Sequence, residues 1–258
     1  MEIIVVDNDS RDGSAEMVSA EFPDVILIES GGNKGYATGN NLAFQRASGT
    51  RLLTLNPDTE FTDHSIQKTL DWMEENPTIG AVGIRLILPD GSTQRSVRGF
   101  PTFAGIFGAL LRLDRFFPHS SLGSYTLPGF DYTQTQPGPQ PMGTFNLFRR
   151  EALASIGDPA KPFDEDFPIF FNEVDLLKRL DDAGWPAWHF AEAQVQHHHG
   201  ASTKQVKKSM IWESHRSLVR YFSKHTRGSA RFLLPLVAGA AYLAAFMRAR
   251  GVHAGFRP

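Results

Sequence analysis

The sequence contains no cysteine. That excludes a disulfide framework, thiolate metal sites and a thiol nucleophile, and it agrees with a reducing compartment. Charge of one sign is also missing. The 26 basic residues stand against 28 acidic ones, a net charge of −2, which removes bulk electrostatics as a reason to bind nucleic acid. Met1-Glu2-Ile3-Ile4-Val5-Val6-Asp7 has no basic cluster and no small-residue cleavage site, so it reads as a strand and not as a signal peptide. The glycine-rich stretch Gly31-Gly32-Asn33-Lys34-Gly35 has neither the Walker spacing nor a G-x-G-x-x-G run, which makes it a poor phosphate-loop or dinucleotide fingerprint.

What is present centres on Leu52-Leu53-Thr54-Leu55-Asn56-Pro57-Asp58. The apolar part reads as a strand buried on both faces, and Pro57, lacking an N–H, cannot continue its ladder. Asp58 is thereby delivered to the C-terminal end of a strand, where open α/β sheets bind ligands. A carboxylate there suits a divalent cation held against a diphosphate, although Asn-Pro-Asp is also a turn sequence. Strand-like runs at 3–6 and 25–28 alternate with helical segments near 14–20 and 38–47, which predicts a parallel sheet with right-handed crossovers. On such a sheet Asp7, the 31–35 loop and Asp58 share one edge.

Further along, a helix is expected over 65–76 and a strand over 79–88, closed by the turn Pro89-Asp90-Gly91-Ser92. Residues 94–141 lose regular periodicity and are rich in Gly, Pro and aromatics, as functional or mobile loops are. Regularity returns at 142–148. Helices are expected over 150–156, from 172 to Gly184 and over 209–225, with short strands at 187–190 and 193–197. With 258 residues the chain has room for one large domain, or a domain and an appendage.

Several residues carry both a chemical and a structural reading. Asp7 is an ordinary turn former or a contact for a nucleotide base or ribose. Glu173 follows the apolar Ile169-Phe170-Phe171, with Asn172 as expected N-cap and Asp175 placed as in a capping box. The same placement desolvates Glu173 and raises its basicity, which suits it to take a proton from a hydroxyl. In His197-His198-His199, strand alternation sends His197 and His199 to one side. They are a solvated loop, or one imidazole joins Asp58 on a Mn²⁺-type ion. Residues 232–247 are almost wholly apolar and flanked by Arg231, Arg248 and Arg250. As a helix of about 24 Å they fall short of the ~30 Å hydrocarbon thickness, leaving an interfacial helix or a core-packing one.

Read together, the chain resembles family-2 glycosyltransferases, in particular the bacterial rhamnosyltransferase-like branch that builds cell-surface polysaccharide, from about residue 2 to 225. The resemblance is carried in order by Glu2 to Ser10 with Asp12-Gly13-Ser14, Asn33-Lys34-Gly35-Tyr36-Ala37 with Gly39-Asn40-Asn41, and Leu55-Asn56-Pro57-Asp58. It continues through Gly143 with Arg149-Arg150-Glu151, Phe171 to Leu176 with Ala183-Gly184-Trp185, and Val195-x-His197-x-x-Gly200-x-Ser202. It implies an α/β fold of the nucleotide-sugar transferase (GT-A-like) type, a single mixed sheet flanked by helices. The implied division is a transferase domain at 1–225, with a nucleotide-binding half (1–93) and an acceptor half (94–225), followed by an apolar helical tail at 226–258.

The implied reaction is inverting transfer of a sugar, rhamnose among the candidates, from a nucleoside-diphosphate sugar to a glycan or lipid-linked glycan. Glu173 is the implied base. Asp7, Asn33, Lys34, Gly35 and Asn40 are the implied nucleotide contacts, and Gly143, Asp175 and Trp185 the acceptor contacts. Asp58 and His197 are the implied holders of Mg²⁺ or Mn²⁺. The implied place is the cytoplasm, peripheral at the inner face of the cytoplasmic membrane. Three features depart from the family pattern: only the last Asp of its Asp-x-Asp motif is kept, Asn172-Glu173 stands where Glu-Asp is usual, and the family's first strand and helix do not precede Glu2. A late start or a shortened protein is the expectation from the last. The rival readings are a non-catalytic or impaired membrane-associated homologue, and a glycosidase drawing a carboxylate pair from Asp164, Asp166, Glu173 and Asp175.

Overall fold

The computed structural model describes residues 1–198 and 208–251. His199, Gly200 and Ser202 of the late histidine motif lie outside the described residues. In chain order the elements are β1 (Ile4–Asp7), α1 (Ser14–Glu21), β2 (Ile26–Glu29), α2 (Tyr36–Arg46), β3 (Arg51–Leu55), β4 (Thr59–Glu60) and α3 (Ser65–Glu75). Next come β5 (Ala81–Ile87), β6 (Val97–Arg98), α4 (Phe103–Leu110), β7 (Gln136–Pro137), β8 (Gln140–Pro141), β9 (Phe145–Arg149) and α5 (Arg150–Ser155). The chain continues through α6 (Asn172–Asp182), β10 (Ala187–His197), α7 (Lys208–His225) and α8 (Leu234–Ala249), with 3₁₀ turns at Leu113–Arg115 and Gly228–Leu233.

The main sheet has the order β3-β9-β5-β10-β4, with β7 on β10. β9 runs antiparallel to β3 and β5, while β10 is parallel to β5, so β3, β5 and β10 share one direction. β1 and β2 pair in parallel as a separate two-stranded ladder, and β6 with β8 form a third. The mixed sheet is therefore interrupted between β1 and β3, not the single ladder expected. What joins the two at their starts is a side chain: the Glu2 carboxylate accepts from Ser48 N at 2.9 Å and Ser48 Oγ at 2.7 Å, just ahead of β3.

Two expected strands near 187 and 193 are one, β10, whose register against β5 shifts between Phe190 and Gln194. The shift is held from outside the ladder. Ala191 N donates to Thr135 Oγ1, and Ser65 Oγ bonds both N and O of Gln194. The stretch expected to be irregular holds a helix, α4, with Thr102 as a side-chain N-cap on Gly105 N at 3.0 Å. Its sequence, Phe-Ala-Gly-Ile-Phe-Gly-Ala-Leu, is too uniformly small and apolar to show a helical period.

The core lies on both faces of the main sheet. One cluster (Phe44, Leu52, Phe148, Leu153, Phe163, Leu176, Leu180) sits beneath α2, α5 and α6, and another (Met73, Ile84, Leu86, Phe145, Val195) beneath α3. A third (Phe167, Phe171, Leu218, Tyr221, Phe222) gathers α4, α7 and α8. In α8 the inward positions are Leu234, Val237, Ala241 and Ala245, at helical spacing.

Candidate active site

Asp58 is placed by the break at Pro57. After β3 the chain leaves the sheet and rejoins it on the opposite edge, where Thr59 pairs with His197 and Glu60 with Gln196. Asp58 O accepts from His198 N at 2.9 Å, which locks the turn to the end of β10. The Asp58 carboxylate is thus brought to His197, with Oδ1 3.3 Å from Nε2. Among the described residues, Oδ1 is buried without a hydrogen bond. His197 is 3 % exposed, and its Nδ1 lies 2.7 Å from Gln94 Oε1. His198 turns outward to Glu60 at 2.9 Å, as strand alternation requires.

The nucleotide-side residues are tied together by one side chain that the sequence reading passed over, Asn8. Its Oδ1 accepts from Lys34 N at 2.9 Å and Ser30 Oγ at 3.2 Å, while Nδ2 reaches Asn33 Oδ1 at 3.3 Å. Asp7 caps the following turn, accepting from Ser10 N. The Lys34 ammonium forms no ion pair among the described residues and is exposed. Gly35 has φ of +85°, and a Cβ there would lie 2.6 Å from Pro168 O. Only glycine meets both demands, so the loop packs directly on the segment that leads to Glu173. Asn40 is engaged within its own helix, Nδ2 to Tyr36 O at 2.9 Å. Its neighbour Asn41 is the buried one, clamping Phe163 N, Phe163 O and Glu165.

The start of α6 departs from the expected cap. Phe171, not Asn172, is the N-cap, in the left-handed region with φ of +64°. Such a conformation costs a bulky residue about 1–3 kcal/mol and persists where surroundings enforce it. Here the Phe171 ring is 5 % exposed and lies 5.7 Å from Tyr221. Asn172 is the first helical residue, and its Oδ1 accepts from Glu173 N at 2.7 Å. Glu173 itself is half-buried, and burial raises its carboxyl above the ordinary 4.5. A Cβ on Gly143 would lie 3.6 Å from Glu173 Oε1 and 3.5 Å from the Tyr36 hydroxyl. The Tyr36 hydroxyl donates to Gly143 O at 3.0 Å, and Asn56 N donates to Thr144 O at 3.0 Å. A chain of contacts thus runs from the glycine loop through Tyr36 and Gly143 to the Asp58 turn, with Glu173 against its middle.

Asp175 and Trp185 are placed differently from the acceptor role expected of them. Asp175 is fully buried, and its oxygens lie 2.8 Å from Arg179 Nε, Lys224 Nζ and His225 Nε2. It binds α6 to α7 and does not complete a capping box. Burial works to raise its carboxyl, but the His225 hydrogen bond, the Arg179 charge and Lys224 outweigh it and hold it at about 2. Trp185 sits beyond the far end of α6, whose rise from Glu173 to Asp182 is about 14 Å, and is packed on Gly80. The structure does not bring it to Glu173.

A family model described as glycosyl transferase family 2 matches residues 1–157. The chain belongs to that family. This glycosyltransferase is similar to an N-acetylglucosaminyl-diphospho-decaprenol L-rhamnosyltransferase of Mycobacterium tuberculosis, 27% identical over 242 residues, 88% of this chain and 76% of the relative. Two solved structures share its fold. One is the mannosyltransferase PcManGT from Pyrobaculum calidifontis in complex with GDP-Man and Mn²⁺, with a TM-score of 0.54 and 18% identity, covering 97% of this chain and 64% of that one. The other is GalNAc-T7 with UDP, GalNAc and Mn²⁺, with a TM-score of 0.57 and 14% identity, covering 96% and 50%. The GT-A-like reading of the fold agrees with these neighbours, of which the transferase spans less than two thirds of the length.

Proposed function

We propose that this transferase moves a sugar from a nucleoside-diphosphate sugar to a hydroxyl of a lipid-linked glycan, with inversion, at the rim formed by the 31–35 loop, Gly143, Asp58 and Glu173. The observation that carries the reading is the continuous contact chain from Asn8 and Gly35 to Gly143 and Asn56, with the half-buried Glu173 carboxylate 3.6 Å from the Gly143 Cβ position. Glu173 takes the acceptor proton as the hydroxyl oxygen bonds to the anomeric carbon. The bond from that carbon to the diphosphate breaks, and the nucleoside diphosphate leaves. A carboxylate whose basicity is raised by burial is matched to that task. Asp7 and the loop tied by Asn8 face the nucleotide, and the exposed Lys34 ammonium complements a diphosphate.

Asp58 Oδ1 and His197 Nε2 are the donor set for a divalent cation, a carboxylate and an imidazole 3.3 Å apart at the sheet's C-terminal edge. The set fits Mn²⁺ or Mg²⁺ in part. Among the described residues no three such groups cluster, so Asp58 and His197 would hold the ion as a two-residue set. Bound there, the ion neutralises charge developing on the leaving diphosphate.

The acceptor class follows the M. tuberculosis relative, and a membrane surface is the place where such an acceptor resides. Gly228–Ala249 supports this. Its 22 residues are long and apolar enough to cross a membrane, yet α8 lies along α7 with Leu236 and Leu243 exposed at 72 and 60 %, and Phe232 in the turn before it at 88 %. From Gly228 to Gly251 there is no acidic residue, and Arg231, Arg248 and Arg250 complement anionic headgroups.

Thermal denaturation with nucleoside diphosphates and their sugars, with and without Mn²⁺, tests the donor reading, because a ligand bound by the folded state alone raises stability. Metal-free hydrolysis of aryl glycosides with no nucleotide response would overturn it in favour of a glycosidase.

A further inference from the structure

The turn Pro89-Asp90-Gly91-Ser92 has a consequence at the far end of β10. Asp90 Oδ1 accepts from Ser92 N at 2.9 Å, Leu88 N bonds Ser92 O, and Gln94 N bonds Leu86 O, so the chain folds back alongside β5. β10 flanks β5 on its other side, with Ile87 opposite Gln196. The fold-back therefore sets Gln94 beside His197 across the end of β5. The contact is directional. Gln94 Nε2 donates to Met142 Sδ at 3.6 Å, which points the amide oxygen at His197 Nδ1, 2.7 Å away. An amide oxygen only accepts, so Nδ1 carries the proton.

We infer that Gln94 is a positioning residue for the cation held by Asp58 and His197: it fixes the imidazole tautomer and ring angle that present Nε2 to Asp58 Oδ1. With Nδ1 bonded to Gln94, the Nε2 edge of the ring is the one turned to Asp58 Oδ1, 3.3 Å away. Partners of this kind on the non-ligating nitrogen set the tautomer and basicity of metal-bound histidines, and their loss lowers metal affinity about 10- to 100-fold. Gln94 lies 36 positions from Asp58 and in no motif of the chain, which is why its role is not legible in the sequence. The inference rests on the metal assignment of Asp58 and His197.

The test is Mn²⁺ titration of the full chain, read by the paramagnetic resonance of free Mn²⁺, with nitrogen-15 shifts of the His197 ring read on the metal-free protein. Gln94→Ala is expected to weaken Mn²⁺ about 10- to 100-fold and to shift the ring toward its Nε2–H tautomer. Gln94→Glu, which keeps an acceptor at the same reach, is expected to retain both. Gln94→Met preserves volume against Met142 and gives the same answer as Gln94→Ala should the smaller side chain disturb folding. Mn²⁺ binding by Gln94→Ala within threefold of wild type, or an unchanged ring tautomer, overturns the inference. Wild-type protein that binds no Mn²⁺, and behaves as Asp58→Asn does, overturns the metal assignment itself, and the two failures are thereby distinguished.

Discussion

Asn in place of Asp175 should cost this transferase much of its stability while leaving its volume almost unchanged. The carboxylate is fully buried, and its hold at about 2 against an ordinary 3.8 measures how much the native surroundings favour its charge. At about 1.4 kcal/mol for each pH unit, that difference is on the order of 2–3 kcal/mol of folding free energy at neutral pH. Truncating a fully buried pair costs about 3–5 kcal/mol. Here the partners left behind, Arg179, Lys224 and His225, have side chains 23, 34 and 11 % exposed and regain some water, so the lower figure is expected.

A loss of roughly 2–3 kcal/mol in urea denaturation at pH 7 corresponds to a drop of about 4–12 °C in Tm. The pH dependence has a fixed sign. A depressed folded-state value contributes stability fully above 3.8 and loses it as pH falls toward 2, so the gap between wild type and Asp175→Asn is constant above about pH 5 and closes in acid. A gap below about 0.5 kcal/mol, or one that widens on acidification, would refute the reasoning. Because α7 is docked on α6 through this residue, two positions after Glu173, kcat is expected to fall with stability.

Glu173→Gln should abolish transfer while slightly raising the Tm. Burial raises the Glu173 carboxyl, so stability present below pH 4.5 is lost as pH rises through the folded-state value, and the amide removes that loss; a lower Tm at neutral pH would contradict it. Gly35→Ala should cost about 2 kcal/mol or more in urea denaturation and lower kcat, since a methyl at φ of +85° also meets Pro168 O at 2.6 Å; a cost under 0.5 kcal/mol would show that the loop does not rest on the Glu173 segment. Gly143→Ala meets only ordinary contacts at 3.5–3.6 Å, so stability should hold while the methyl occupies the space before Glu173 and reduces kcat/KM at least tenfold. Sedimentation with vesicles should retain the protein on anionic lipid and release it on neutral lipid, with Arg231, Arg248 and Arg250 replaced by Gln weakening retention; equal binding to both would remove the charge-based reading.

Local patterning by itself determined most of the longer strands and helices of this protein, and the resemblance built from ordered motifs determined the family. β-branched runs, a proline that cannot extend a ladder and glycines at loop ends act through neighbouring residues, so Asp58 at a strand end and Glu173 at a helix start were legible before any fold. Tertiary structure alone decided what depends on elements far apart in the chain. The return of Thr59 to β10 brings Asp58 to His197, 139 positions later, and sheet crossings of that kind leave no local trace. The same is true of the interruption between β1 and β3, the helix α4 hidden in small apolar residues, and the role of Gln94. Asp175 is the clearest case. Its place in the first turn of α6 suggested a cap or an acceptor contact, and only the docking of α7 turned that carboxylate into the buried anchor of Arg179, Lys224 and His225.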